Sequence, residues 1–112
     1  MAEDAAPRYI WSLDIETRQG RTKATVTLVG SLDQHSSASF RECVDEALGV
    51  HPTFVVVDAR GLTFVDASGL AALVRARRAA SEAGVAFRVN DASPALRDVA
   101  EEAGFQALLP DQ

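Results

Sequence analysis

The sequence predicts a single α/β domain: an N-terminal antiparallel hairpin joined to a mostly parallel sheet of four or five strands, with three or four helices packed on it. Two alternating apolar/polar runs flank a Gly-containing turn near the N-terminus. Helix-periodic segments then alternate with short β-branched runs, the pattern of a parallel sheet with crossover helices. The helical segments are also bounded by cap and stop residues. At 112 residues the chain has the length of one domain with a real hydrophobic core. That domain is expected over residues 8–110, behind a small, acidic and flexible N-terminus over residues 1–7.

Arg8 to Ile15 sets Ile10, Trp11, Leu13 and Ile15 loosely against polar residues, and Thr22 to Val29 sets Ala24, Val26 and Leu28 against threonines. With the turn residues Gln19-Gly20-Arg21 between them, they read as a hairpin. Gly30 to His35 breaks the second strand and leads to Ser36, a candidate N-cap. Phe40, Cys43, Val44, Ala47 and Leu48 then fall at i, i+3, i+4, i+7 and i+8, one buried helix face, with Gly49 as a C′ residue and Pro52 beyond it.

Thr53 to Val57 is a continuous apolar run, expected to be a central strand covered on both sides. Asp58 ends it and Arg60-Gly61 turns the chain. Leu62 to Val65 then enters a helix from about Ser68 to Ala83, with Leu70, Leu73, Val74 and Ala80 as buried positions and Gly84 as its stop. Val85 to Val89 is another strand. Ser93-Pro94 makes an N-cap and N1 pair for a third helix carrying Leu96, Val99, Ala100 and Ala103, closed by Gly104. Phe105 to Leu109 is a last short strand or an irregular apolar tail.

A net charge of −5 leaves no electrostatic footprint for nucleic acid or an anionic membrane, and Arg75, Arg77 and Arg78 read as the solvated face of a helix. Cys43 is the only cysteine, so an intrachain disulfide is excluded and the thiol is expected to serve as a small hydrophobe. No run reaches the ~18–20 apolar residues of a membrane span, and the N-terminal stretch lacks the apolar h-region of a signal peptide. A cytoplasmic protein without membrane insertion is the expectation. His35, His51 and Cys43 lack zinc-site spacing, and nucleotide-cradling glycine loops are missing, so no metal or cofactor is expected. A hydrolase built from Ser68, His35 and Asp33 would lack the nucleophile elbow Gly-x-Ser-x-Gly. The protein is therefore read as a non-enzyme, without catalytic residues.

The stretch with most chemical content is Thr63 to Leu73, where an apolar run ends in Asp66-Ala67-Ser68-Gly69 and passes directly into a helix. Free N–H groups and the macrodipole at such a start favour negative charge. The turn can bind an anion, carry a phosphate or cap its helix.

Phe64-Val65-Asp66-Ala67-Ser68-Gly69-Leu70 resembles the signature turn of STAS domains, the family of bacterial anti-sigma factor antagonists. Leu28-Val29-Gly30-Ser31-Leu32-Asp33 is similar to the family's first characteristic stretch, Phe54 to Asp58 to its central strand, and Ser93 to Leu96 to the start of its last long helix. The resemblance implies a free-standing domain that docks through this turn onto an anti-sigma factor with a GHKL-type serine kinase fold and displaces a sigma factor. The kinase then phosphorylates the hydroxyl residue directly after the Asp, and a serine phosphatase resets the protein. It further implies a partner-binding set of Asp33, Asp66, Ala67, Ser68, Gly69 and Leu70. Asp66 would hold the turn as an Asx residue, and Gly69 would admit a close neighbour.

This chain departs from that pattern at the acceptor position, which is Ala67. Either the protein antagonises its partner without a phosphorylation cycle, or Ser68 has become the acceptor; a third reading makes Ser68 a helix cap. A related turn and the same fold also occur in STAS accessory subunits of lipid-transport ABC complexes, the alternative function.

Overall fold

The computed structural model describes residues 8–109, so the expectation of a flexible N-terminus over residues 1–7 lies outside the described residues. The elements run β1 (Tyr9–Arg18), β2 (Arg21–Leu32), α1 (Ser37–Gly49), β3 (Phe54–Val65), α2 (Ala67–Glu82), β4 (Ala86–Asn90) and α3 (Pro94–Ala103), with a 3₁₀ turn over Gln106–Leu108. They form a four-stranded sheet in the order β1-β2-β3-β4. The β1–β2 pair is antiparallel and the other two pairs are parallel. Gln19 and Gly20, both at positive φ, make the two-residue primed turn whose twist matches that of the flanking strands.

Ala24, Val26 and Leu28 of β2, Val55 and Val57 of β3, and the buried residues of all three helices belong to one core cluster. The helices thus cover one face of the sheet. α1 packs against β1 and β2, α2 against α1 and β4, and α3 against β3. On the other face Phe54 and Val56 are partly exposed. The expectation of a strand covered on both sides is therefore corrected. A β-branched run fits any pleated surface, and here one of its faces meets solvent.

The two central strands are longer than the sequence suggested. Gly30 does not end β2, and neither Asp58 nor Arg60-Gly61 interrupts β3. Twice β3 carries an extra residue against β2, between the pairs Thr27–Asp58 and Val29–Gly61 and again between Gly30–Leu62 and Ser31–Phe64. These are bulges, which bend a strand without ending it. Asp58 does make the local bond expected of a turn, its Oδ1 accepting from the Arg60 N–H at 3.1 Å. Pairing with β2 nevertheless carries the strand onward. At Gly30 φ is +107° and an added Cβ would lie 2.2 Å from the Arg8 carbonyl oxygen, so only glycine fits there. The two strands end side by side at Leu32 and Val65.

Smaller corrections concern helix ends and faces. Gly49 is the last residue of α1, and Val50 is its C-cap. Cys43, Leu48 and Val74 pack at the margin of the core, partly buried, because they lie at the edges of their apolar stripes. Burial pushes the Cys43 thiol pKa up, with the Glu46 carboxylate adding to the effect, so the reactive thiolate is disfavoured. After α3 the chain makes a 3₁₀ turn, not a strand, and buries Leu108 and Leu109. The Ser93 cap, with Pro94 next to it, and the left-handed Gly104 stop lie where the sequence placed them.

Phe40 of α1 is fully buried and meets Trp11 of β1 edge to face at 6.3 Å, while Trp11 stacks on Tyr9 at 4.7 Å. Phe40→Ala is expected to lower the unfolding free energy by about 3–5 kcal/mol and to shift the native emission of Trp11, the only tryptophan. Urea titration followed by fluorescence measures both. A loss below about 1 kcal/mol would mean that this contact is not part of the core.

Candidate functional site

At the end of the sheet where Leu32 and Val65 lie together, two connections leave side by side. One is the short segment from Asp33 to Ser36 that enters α1. The other is Asp66 alone, which enters α2. Asp66 is the N-cap of α2, in extended conformation, and its Oδ1 accepts the Gly69 N–H at 2.8 Å. Its Oδ2 accepts the Gln34 N–H from the neighbouring connection at 3.3 Å. The Asp66 N–H donates to the Leu32 carbonyl at 3.4 Å. One residue therefore caps a helix and ties the β2–α1 segment to it.

Gly69 makes the same junction steric. A Cβ at this position would lie 2.0 Å from the Leu32 carbonyl oxygen, a contact no side chain survives. α2 can start beside the end of β2 only because residue 69 has no side chain.

Asp33 acts on its own segment. Its Oδ1 accepts from the N–H groups of His35 at 2.9 Å and Ser36 at 3.1 Å. Ser36 occupies the N-cap position of α1, but its hydroxyl makes no capping bond. The buried Ser36 Oγ instead accepts the Asp33 N–H at 3.0 Å and donates to the Ser31 carbonyl at 2.8 Å. A residue chosen as a helix cap thus serves as the knot of the loop.

The expected site residues are brought together, in unequal roles. Ala67, at the first helical position, is exposed; Ser68 beside it is partly exposed; Asp33 and Asp66 are partly buried; Gly69 and Leu70 are buried. Capping falls to Asp66 and not to Ser68, because the residue before the first helical one has the extended backbone from which a side-chain oxygen can reach the N3 amide. The sequence reading missed Phe64, two residues before Asp66, which lies 52% exposed beside the paired Ser31. It also missed Gln34, whose contribution is a backbone N–H and leaves no trace in side-chain pattern.

Among the described residues, no group of three or more His, Cys, Asp or Glu side chains is placed to hold a metal ion. Among the same residues, no helix is long and apolar enough to cross a membrane. What the site offers is two hydrogen-bonded connections with Ala67, Gln34 and His35 exposed and Phe64 exposed beside them.

Comparison with known proteins bears on the family and the fold. The family described as "Mlab, STAS domain" matches residues 15–110. An anti-sigma F factor antagonist of Paenibacillus polymyxa is 28% identical over 100 residues, 88% of this chain and 86% of that protein. Among solved structures, the anti-sigma factor antagonist SpoIIAA in its unphosphorylated form superposes with a TM-score of 0.69 at 20% identity, covering 88% of this chain and 85% of that one. An anti-sigma factor antagonist from Mycobacterium paratuberculosis superposes with a TM-score of 0.69 at 20% identity over 95% and 87% of the two chains. These structural likenesses establish the fold.

Two substitutions test the junction. Gly69→Ala is expected to destabilise by about 1–3 kcal/mol through overpacking, although alanine in a helix interior is intrinsically better than glycine by about 1 kcal/mol. A neutral or stabilising result in urea unfolding would show that the approach to Leu32 is loose. Asp66→Ala is expected to cost about 0.5–2 kcal/mol as a lost N-cap and to speed hydrogen exchange at both the Gly69 and Gln34 amides. Faster exchange at Gly69 alone would show that the bond across the two connections carries no weight.

Proposed function

We propose that this chain, which belongs to the STAS domain family, is an anti-sigma factor antagonist: a switch that works by binding an anti-sigma factor and thereby frees a sigma factor. The observation that best supports this is the preformed junction at Asp66, which fixes the β3–α2 turn and the β2–α1 segment as one surface. A surface ordered before docking loses little conformational entropy on docking. Kinship with an anti-sigma F factor antagonist along most of the chain supports the choice of partner.

In this reading the partner has a GHKL-type serine kinase fold, and the chain catalyses nothing itself. Ala67 and Ser68 touch the partner, being the accessible residues of the turn. Asp66 and Asp33 hold the two connections in shape. Gly69 lets α2 start against β2, and Leu70 anchors that start in the core at 3% exposure. Phosphorylation here would add about −1.5 to −2 charges and considerable bulk next to the Asp66 carboxylate, opposing docking. Ala67 has no hydroxyl to carry that phosphate, so the protein acts as a constitutive antagonist.

Affinity purification followed by identification of the bound proteins tests the partner. Recovery of a soluble ATP-binding kinase supports the proposal; recovery of a membrane-bound ATPase–permease complex instead makes the chain an accessory subunit of a lipid transporter. The missing switch is tested with that kinase and mass spectrometry. The wild-type chain is expected to take up no phosphate, and Ala67→Ser to become phosphorylated at residue 67 and to lose affinity for the kinase. Phosphate on wild-type Ser68, abolished by Ser68→Ala, would mean that the acceptor has moved by one residue and that the antagonist is not constitutive.

A further inference from the structure

An open groove between α2 and α3 is lined by residues from Ala67 to Arg78 of α2, by Val99, Glu102 and Ala103 of α3 and by Phe105. Its α2 wall is one helical stripe of Ala67, Ala71, Val74 and Arg78, and α3 supplies Val99 and Glu102. From Ala67 to Arg78 the stripe rises about 16 Å, three turns of helix. The floor is apolar and incompletely covered: Val74 and Val99 are only partly buried, and Phe105 is 42% exposed. Arg75 and Arg78 stand exposed along the α2 rim, and among the described residues neither enters an ion pair.

A chain of net charge −5 that keeps two unpaired arginines on the α2 rim of an apolar groove, against one lining carboxylate, Glu102 of α3, presents net positive charge along that rim. We infer that the groove receives an acidic amphipathic helix of a protein partner. Its apolar residues, at i, i+3 or i+4, and i+7, sit between Val74 and Val99, and its carboxylates face Arg75 and Arg78. Both walls are helices with satisfied backbones, so they offer no strand edge for an extended peptide, whereas an apolar stripe three turns long is what helix-in-groove docking uses. The exposed Ala67 is itself a lining residue, so the groove adjoins the docking turn. Assigning the helix to an anti-sigma factor rests on the function proposed above; the chemistry of the occupant does not.

The test uses three peptides about 14 residues long, four helical turns. The first has a leucine stripe flanked by glutamates, the second the same stripe flanked by lysines, and the third the composition of the first with its leucines scattered. Titrated into ¹⁵N-labelled protein, the first is expected to shift the amides of Ala71, Val74 and Val99 and to bind at least tenfold more tightly than the others, a difference of about 1.4 kcal/mol or more. In an Arg75→Glu/Arg78→Glu variant the preference between glutamate and lysine peptides should reverse. Both arginines are exposed, so a melting curve like that of the wild type is expected to accompany the reversal. Equal binding of striped and scattered peptides, shifts centred away from α2 and α3, or a glutamate preference that survives the charge reversal each overturn the inference. If the full chain binds an anti-sigma factor and the double variant binds it equally well, the groove assignment fails while the proposed function stands. If no anti-sigma factor binds but the peptide results hold, the function fails and the groove stands.

Discussion

The carboxylate of Asp66 is the joint on which this molecule's functional end depends. One oxygen satisfies an amide at the start of α2, and the other satisfies an amide of the connection that leads into α1. Each bond is modest, about 0.5–1.5 kcal/mol net for an ordinary hydrogen bond and somewhat more with a charged acceptor. Their combined effect is geometric. α1 and α2 pack against one another over the sheet, and a residue that fixes the entry of both sets how their first turns sit. The backbone contact of Gly69 with Leu32 allows no slack in the same place, since a packed junction cannot slide without opening a gap or a clash.

That junction exists because β2 and β3 reach the same point. Two bulges bring β3 alongside β2 as far as Val65 and Leu32, and without them Asp66 would emerge at a different height from the β2–α1 segment. Bulges at the rims of sheets commonly re-aim the residues that follow. Here they deliver a short polar turn, an exposed Phe64 and the head of a helix to one edge of the domain. The open sheet face, by contrast, mixes threonines and charged side chains of β1 and β2 with the exposed Ile10 and Val29 and the partly exposed Phe54 and Val56.

What was legible in the sequence follows from how local each feature is. The Gln19-Gly20 turn, the Ser93-Pro94 helix start and the Gly104 stop each depend on residues within one turn of chain, and each stands where pattern alone put it. Strand length did not follow, because a strand continues past glycine or a turn-forming aspartate when its neighbour supplies the pairing. One-sided cover of β3 was equally hidden, since β-branched residues suit a strand whether or not a second layer lies over it. At the site, the turn and the nearness of the Gly30–His35 segment were readable from the family resemblance. The division of labour among Asp33, Ser36 and Asp66 was not, because it depends on which amide each oxygen reaches across two connections. The groove between α2 and α3 also had no sequence signature. Arg75 and Arg78 read as an ordinary solvated face until α3 was placed beside them.

The same geometry explains how Ala67 can stand at the position where the resemblance implies a hydroxyl. The turn is held by the Asp66 carboxylate, by the close approach of Gly69 to Leu32 and by the burial of Leu70. The side chain of residue 67 takes part in none of these; it is exposed at the first helical position. Alanine there costs the fold nothing and has a better intrinsic helix propensity than serine, by roughly 0.5 kcal/mol. The shape of the turn and the identity of residue 67 are thus physically separable on this scaffold. Alanine at residue 67 leaves intact every contact that shapes the turn.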